Sequence, residues 1–253
     1  QSTWGIFLQA NMRSRIILFG DSITEQSFRQ GGWGAALTDS YSRKADVILR
    51  GYSGYNTRWA MYLLERIFPL DSASHPAAVT VFFGANDAAL PGRTSERQHV
   101  PVEEYTKNLK QIIVHLKKCS SNIAIVLITP PPVDEKGRMN FANFCRLMYG
   151  EKAMKNPERT NEVTGVYAKH CIQLAKEMGV YFIDIWSQMQ ETDGWGALFL
   201  SDGLHLTERG NSIVHENVLK VFSEAGFGPL EIPNDFPHHS EIDTRHPHKA
   251  FLP

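Results

Sequence analysis

Cysteine is scarce in this sequence, long apolar runs are missing, and neither sign of charge dominates. The three cysteines among 253 residues, Cys119, Cys145 and Cys171, are too few and too widely spaced for a disulfide framework or a cysteine-based zinc site. Their scarcity favours a reducing compartment, and we therefore expect a cytoplasmic protein. No apolar run approaches the length that spans a bilayer, and the stretch Trp4–Leu8 is too short for a signal peptide.

The charges of the chain are balanced. It carries 26 Lys and Arg residues against 27 Asp and Glu residues, for a formal net charge of −1. This balance gives no electrostatic reason to expect nucleic acid or an anionic membrane as a partner. The oligomeric state stays open, since a monomer and a homodimer are both compatible with the sequence.

Strand-like apolar runs alternate with stretches of helical periodicity. Strands are predicted at Arg15–Phe19, Asp46–Leu49, Ala77–Phe83, Ile123–Ile128 and Val180–Ile185. Amphipathic helices are predicted at Trp33–Tyr41, Arg58–Phe68, Tyr105–Leu116 and Val163–Met178, and from the N-cap Thr207 to Val221. Five buried strands between helices indicate a three-layer α/β/α domain with a five-stranded parallel sheet.

Three segments stand outside this alternation. We take Met12 as the native start and residues 1–11 as an N-terminal extension, so that the domain covers residues 12–230. Residues 131–158 form a long polar insertion with a short helical core near Phe144–Met148, and such loops are often lids or rims. Residues 231–253 are rich in Pro and His, and we expect this C-terminal tail to wrap the surface or stay mobile. We predict no metal site there.

Small and polar residues gather where the predicted strands end. Gly20-Asp21-Ser22 follows the first strand, a glycine block from Gly51 to Thr57 follows the second, and Gly84-Ala85-Asn86-Asp87 follows the third. The stretch Asp202-Gly203-Leu204-His205 lies between the fifth strand and the last helix. Ligands of open parallel sheets bind beyond the carboxyl ends of the strands, so these residues are candidates for one site.

These residue types meet the needs of acyl transfer. A serine such as Ser22 is a weak nucleophile and needs a general base, which His205 can supply. Asp202 is spaced so that a tight turn brings its carboxylate onto the imidazole. The amide of Ser22, a glycine amide and the Asn86 side chain are suitable oxyanion donors, with Gly51 and Gly54 both open as the glycine.

The four blocks, in this order, resemble those of the SGNH (GDSL-type) hydrolases. The fuller strings Leu-Phe-Gly-Asp-Ser-Ile-Thr, Arg-Gly-Tyr-Ser-Gly-Tyr-Asn-Thr-Arg-Trp, Phe-Phe-Gly-Ala-Asn-Asp and Leu-Ser-Asp-Gly-Leu-His-Leu are similar to the isoamyl acetate-hydrolysing esterase subfamily. The resemblance implies a flavodoxin-like hydrolase fold, the triad Ser22, Asp202 and His205, and the oxyanion donors Ser22, Gly54 and Asn86. It implies no metal and no organic cofactor.

Each block also has a purely structural interpretation. Gly-Asp-Ser alone is most often a turn with a helix N-cap, and Asn86 and His205 gain their functional weight from the other blocks. Three aspartates, Asp21, Asp87 and Asp184, are predicted as turn or capping residues rather than catalytic ones. Ser53 is predicted to be structural, and Trp33, Trp59 and Phe82 are assigned to the core, although Trp59 lies close enough to its block to reach the acyl site.

The leading hypothesis is a serine esterase that hydrolyses small short-chain, acetate-type esters through an acyl-enzyme. Its partner would be a small ester substrate. The alternatives are an acyltransferase and a non-catalytic binding module on the same sheet, because a fold does not determine function. A nucleotide or flavin module is disfavoured, since no glycine-rich phosphate loop follows the first strand.

Overall fold

The computed structural model describes residues 13–150 and 156–251; the predicted N-terminal extension and Met12 lie outside them. One five-stranded sheet has the order β2-β1-β3-β4-β5, and all neighbouring strands are parallel. The strands are β1 (Ser14–Gly20), β2 (Ala45–Gly51), β3 (Ala78–Phe82), β4 (Ala124–Ile128) and β5 (Tyr181–Ile183). This flavodoxin-like order confirms the predicted fold class.

Ten α-helices lie within the described residues. They are α1 (Ser22–Glu25), α2 (Trp33–Ser40), α3 (Thr57–Ala60), α4 (Leu64–Ile67), α5 (Val102–Cys119), α6 (Glu135–Met148), α7 (Asn161–Met178), α8 (Ile185–Gln190), α9 (Trp195–Phe199) and α10 (Glu208–Glu224). Short 3₁₀ turns occur at Gln26–Phe28, Met61–Leu63, Glu96–Gln98, His239–Glu241 and Pro247–Phe251. None of these described helices is long and apolar enough to cross a bilayer.

The sheet has a separate apolar core on each face. On one face, α2 and α10 cover the sheet, with Trp33 and Val214 fully buried. On the other face, α5 and α7 cover it through residues such as Leu109 and Tyr167. Trp33 and Phe82 belong to the core as predicted, with at most 1% of either residue exposed. Burial on both faces explains why the strands are continuous apolar runs.

The helix predicted at Arg58–Phe68 is interrupted. The structure has α3, the 3₁₀ turn Met61–Leu63 and α4 in its place. Ala60, Leu64 and Phe68 are buried against the same core, so the apolar spacing identified the buried face correctly. In a 3₁₀ turn each backbone hydrogen bond joins residues three apart, whereas in an α-helix it joins residues four apart. The spacing of apolar residues in the sequence does not distinguish the two.

Helix α6 is much longer than its predicted helical core, Phe144–Met148. It begins at Glu135, and none of its residues is buried. Its first turn is held by polar contacts instead, because the amide of Asp134 donates to the carbonyl of Gly203 at 3.0 Å. Apolar periodicity therefore could not reveal the full helix, which lies against the Asp202–His205 segment.

The C-terminal tail follows the protein surface as far as it is described. The side chain of Asp235 forms ion pairs with Arg13 and Arg43. The ammonium of Lys44 donates to the carbonyl of Ile232 at 2.9 Å. Of the two expectations for this segment, the described residues match the one in which it wraps the surface.

Candidate active site

The site lies where β1 and β3 end side by side. In this strand order the direction of winding reverses between β1 and β3, and ligands of such sheets bind at that point. Ser22 follows β1 as the first residue of α1, and the preceding Asp21 caps this helix by accepting a hydrogen bond from the amide of Ile23 at 2.9 Å. Asn86 lies in the loop that follows β3. The topology therefore brings these two blocks to one edge of the sheet.

Ser22, His205 and Asp202 form a hydrogen-bonded series. Ser22 Oγ lies 2.9 Å from His205 Nε2, and His205 Nδ1 lies 2.8 Å from Asp202 Oδ2. Ser22 and His205 are partly exposed, whereas only 8% of Asp202 is exposed. The structure brings together the three residues that the sequence predicts as a triad.

A tight turn holds His205 against Asp202. Asp202 Oδ1 accepts hydrogen bonds from the backbone amides of Leu204 at 3.0 Å and His205 at 2.7 Å, and its other oxygen, Oδ2, faces the ring. Gly203 adopts φ of +80°, and a Cβ there would come within 2.2 Å of the amide nitrogen of Arg138. Glycine is thus required twice at this position, by the turn and by the close approach of α6.

The ionisation of Asp202 fixes the direction of these hydrogen bonds. Burial alone would raise the pKa of Asp202, but hydrogen bonds from His205 and the nearby positive charge of Arg138 outweigh it, so the pKa lies well below its ordinary value. An ionised carboxylate only accepts, which means that His205 Nδ1 carries the proton. In neutral His205 the other nitrogen, Nε2, is then an acceptor for the hydroxyl of Ser22.

Asn86 is held by hydrogen bonds on both sides of its amide group. Its Nδ2 donates to the carbonyl of Tyr55 at 2.8 Å, and its Oδ1 accepts from Arg159 Nη2 at 3.1 Å. An amide nitrogen has two N–H groups, and the second has no protein partner among the described residues. Asn86 lines the same cavity as Ser22.

The cavity at Ser22 has a volume of about 330 Å³. Its walls are largely polar; the lining residues are Ser22, Gln26, Ser53, Gly54, Asn86, Ser95, Gln98, Arg138, Arg159, Leu204 and His205. Gly54 is among them, and Gly51 is not. Gly51 packs against α1 instead, where a Cβ would lie 2.0 Å from the amide nitrogen of Glu25. The geometry thus favours Gly54 over Gly51 as a residue that faces a ligand.

The chain matches the model of the family described as GDSL-like Lipase/Acylhydrolase over residues 16–218. It belongs to the GDSL lipase/acylhydrolase family. A GDSL esterase/lipase of Arabidopsis thaliana is 65% identical over 240 residues, covering 95% of this chain and 98% of the relative. An isoamyl acetate-hydrolyzing esterase 1 homolog of Bos taurus is 45% identical, covering 94% of this chain and 92% of the relative.

Solved structures confirm the SGNH/GDSL fold of this family member. The crystal structure of a lipase/acylhydrolase from Enterococcus faecalis superposes with a TM-score of 0.64 at 23% identity, covering 88% of this chain and 98% of that one. An acetyl-xylooligosaccharide esterase from Geobacillus gives 0.63 at 20% identity, covering 87% and 98%. With the curated esterase relatives, the family assignment makes this GDSL protein a carboxylic ester hydrolase.

Sequence reasoning missed three charged residues at this GDSL site. Arg138 projects from α6 and Arg159 precedes α7, and both line the cavity. Glu158 lies between them with 7% of its side chain exposed. The insertion at residues 131–158 therefore supplies part of the site's surroundings. No motif or spacing marks these residues, because their side chains reach the site from outside the strand ends.

The remaining candidates have structural partners in the GDSL fold. Asp184 caps α8 by accepting from the amide of Ser187 at 3.0 Å, as predicted. The amide of Ser53 donates to Glu25, and the residue lines the cavity with no hydrogen bond to His205 among the described contacts. The core assignment of Trp59 is wrong, because this residue is only partly buried and belongs to neither apolar core. It packs edge-on against Tyr55, with ring centroids 5.8 Å apart, and is not among the lining residues.

Within residues 13–150 and 156–251, no group of three or more His, Cys, Asp or Glu side chains is arranged to hold a metal ion.

Asp87, in the third GDSL block, is a fully buried carboxyl group. Its Oδ1 accepts hydrogen bonds from the amide and the hydroxyl of Thr57, whereas its Oδ2 is buried without a partner. Burial raises its pKa to about 7 even though the bonds from Thr57 act in the opposite direction. Asp87 therefore stabilises the fold through its contacts with the glycine block, in line with the prediction of a structural residue. Its carboxyl group is fully buried and does not face a ligand.

Asp87→Asn should change how stability depends on pH. In the folded protein Asp87 keeps its proton up to about pH 7, whereas the unfolded chain loses it near its ordinary pKa. The folded state then binds more protons between roughly pH 4 and 7, so stability falls as the pH rises through this window. Asparagine mimics the protonated form and removes the effect. We expect the variant to gain on the order of 3 kcal/mol relative to the wild type between pH 4 and pH 8.

Denaturant unfolding of both proteins at pH 4, 6 and 8 measures this difference. The wild type is the reference at each pH, so contributions from all other titrating groups cancel. A stability difference that stays constant across the three pH values would contradict the assignment.

Proposed function

We propose that this protein is a serine esterase in which Ser22, His205 and Asp202 act as the catalytic triad. The observation that carries the proposal is the unbroken series of hydrogen bonds from Ser22 Oγ through His205 to Asp202, of which Ser22 and His205 line the cavity. A nucleophile next to a base, which is itself oriented by a third group, is the arrangement that activates serine.

The proposed reaction proceeds in two halves. Ser22 Oγ attacks the ester carbonyl while His205 Nε2 takes its proton, and the amides of Ser22 and Gly54 with Asn86 Nδ2 stabilise the oxyanion. His205 then gives the proton to the departing alcohol, which leaves an acyl group on Ser22. In the second half His205 Nε2 takes a proton from water, and the resulting hydroxide attacks the acyl carbonyl. His205 then returns this proton to Ser22 Oγ as the bond between Ser22 and the acyl group breaks, which releases the acid and restores the free enzyme.

The cavity supports a short acyl group. Its volume of about 330 Å³ is near the lower end of small-molecule sites. Among the described residues that line it, Leu204 alone has an aliphatic side chain. A long acyl chain would have to place its methylene groups against glutamine, serine and arginine, where it gains little hydrophobic stabilisation. We therefore propose acetate-type esters as the substrates.

A second cavity supports a polar alcohol moiety. It has a volume of about 210 Å³ and shares Gln26 with the first. Its lining includes the polar side chains of Arg29, Gln30 and Glu208. It also includes Ser201 and Leu206, which precede and follow His205 in the sequence. Because His205 would protonate the departing oxygen, the alcohol would lie on this side of the site. Its donors and acceptors suit an alcohol that carries further hydroxyl groups.

A series of nitrophenyl esters from acetate to dodecanoate tests the acyl preference. We expect kcat/KM to be highest for acetate and to fall with each added pair of methylene groups, because the polar wall offers the chain no apolar surface. A comparison of glyceryl acetate with isoamyl acetate tests the alcohol preference in the same protein. A maximum at long chains would overturn the short-chain proposal while leaving the triad untouched.

An acyltransferase on the same site differs only in the acceptor, and no contact in the structure favours one. Adding methanol or glycerol to the acetate assay separates the two, since transfer yields a new ester and hydrolysis yields free acid. The family assignment as an ester hydrolase leaves the non-catalytic binding module without support.

We keep the cytoplasm as the proposed location of the enzyme. The support is that Cys119, Cys145 and Cys171 are all free thiols in the structure, as expected in a reducing compartment. Fractionation of cells with an antibody against the protein tests this location.

A further inference from the structure

Two arginines meet at a single carboxylate beside the active-site cavity. Arg138 Nε lies 2.8 Å from Glu158 Oε1, and Arg159 Nη1 lies 2.6 Å from the same oxygen. The second oxygen, Oε2, accepts a hydrogen bond from the hydroxyl of Ser95. Burial would raise the pKa of Glu158, but the two guanidinium charges outweigh it and lower the pKa, which keeps the group ionised.

Each arginine also donates a hydrogen bond to a residue of the proposed catalytic site, and the two residues differ in role. Arg138 Nη1 donates to Asp202 Oδ2 at 2.7 Å, the oxygen that also accepts from His205. Arg159 Nη2 donates to the Oδ1 of Asn86 at 3.1 Å. A continuous series of contacts therefore runs from Asp202, which orients the base, to Asn86, which faces the developing oxyanion.

The contacts of Arg159 set which atom of Asn86 faces the cavity. Since a guanidinium only donates, its bond to Asn86 Oδ1 requires that the amide present its N–H groups on the other side. The Arg159 Nε bond to the carbonyl of Ala85, at 2.8 Å, fixes the guanidinium plane relative to the loop after β3. Only 2% of this side chain is exposed, so its charge depends on Glu158 for compensation.

We propose that Glu158 is a positioning residue that holds Asp202–His205 and Asn86 in one fixed arrangement through Arg138 and Arg159. The proposal rests on the proposed function. Without the carboxylate, the buried guanidinium of Arg159 and the partly buried one of Arg138 would face each other with no negative charge between them, and both would shift away. The base and the oxyanion donor would then move relative to each other, although neither had been changed. A displacement of about 1 Å at such groups costs roughly 10²-fold in rate.

Glu158→Gln should lower kcat by about 10- to 100-fold and leave KM within about threefold, because the groups that move act on the transition state. The matched control is Asp235→Asn. Asp235 also bridges two arginines, Arg13 and Arg43, but in the C-terminal tail. We expect the control to keep the kcat of the wild type. Circular dichroism and thermal melting of each variant show whether the folded fraction at the assay temperature is complete.

A double-variant cycle tests the coupling itself. Arg138→Met alone should lower kcat, and it should lower kcat much less when Glu158→Gln is already present, because the connection is then broken. Glu158→Asp is the second variant if Glu158→Gln does not fold. This variant keeps the negative charge on a side chain that is one methylene group shorter. We expect its kcat to lie between those of the wild type and Glu158→Gln, with unchanged KM.

Two results would overturn the proposal. One is a folded Glu158→Gln or Glu158→Asp variant whose kcat is within twofold of the wild type, and the other is strict additivity in the cycle. Either result leaves the proposed function intact if turnover still requires Ser22. Loss of the proposed function would instead appear as Ser22→Ala retaining full activity.

Discussion

Ser22→Ala is expected to lower kcat by roughly 10⁵- to 10⁶-fold on an acetyl ester, since removal of a serine nucleophile removes the acyl-enzyme route. The residual rate would come from the oxyanion donors acting on water. In the folded protein the change deletes one hydroxyl at the cavity surface, so we expect little loss of stability. Initial rates with nitrophenyl acetate, at equal concentrations of folded enzyme, measure the effect.

A fluorophosphonate probe tests the same residue by covalent chemistry. The probe should label Ser22, and peptide mass spectrometry should locate the label there. The structure contains a matched control, because Ser40 Oγ lies 3.0 Å from His215 Nε2 in a second, partly buried Ser–His pair. This second Ser–His pair has no aspartate hydrogen-bonded to its histidine among the described residues. Ser40→Ala should leave labelling and turnover as in the wild type, and labelling that survives Ser22→Ala would refute the nucleophile assignment.

His205→Ala should be nearly as damaging as Ser22→Ala, because members of a triad act as a unit. Without Nε2 nothing takes the proton of Ser22, and nothing returns a proton to the departing alcohol. The double variant should therefore be no slower than Ser22→Ala by itself. Additive losses would contradict a shared role for the two residues.

The rate of fluorophosphonate labelling gives a second measurement on His205→Ala. The hydroxyl of Ser22 is still present in this variant, but it lacks its base. The rate of labelling should therefore fall by a factor similar to the fall in the turnover of this variant. His215→Ala is the control, since it breaks the Ser40 contact and leaves the site alone. Labelling at the wild-type rate in His205→Ala would show that another group activates the serine.

The sheet could be predicted from the sequence because its strands are buried on both faces. Every predicted strand is present, and only the ends differ; β5 covers Tyr181–Ile183 rather than Val180–Ile185. Parallel strands also place their carboxyl ends on one edge, which is why the polar blocks could be assigned to one site before any contact was known. Asp202 and His205 were predictable for a local reason, since a tight turn joins residues three apart.

The surroundings of the site could not be predicted in this way. Arg138, Glu158 and Arg159 are distant in sequence from Asn86 and lie in a segment without apolar periodicity. Their positions depend on side chains that span the space between a surface helix and the sheet edge. Ion pairs of this kind follow from the three-dimensional packing of α6, and the sequence shows only scattered charges.

The 183 positions that separate Ser22 from His205 determine when the enzyme first becomes active. During synthesis, β1 and the serine emerge early, whereas the histidine follows all five strands. A nascent chain or an N-terminal fragment thus holds the nucleophile without its base. Contacts between such distant segments carry a large cost in loop closure and tend to form late. Return of ester hydrolysis after denaturation would therefore mark the last step of folding, after the sheet has assembled.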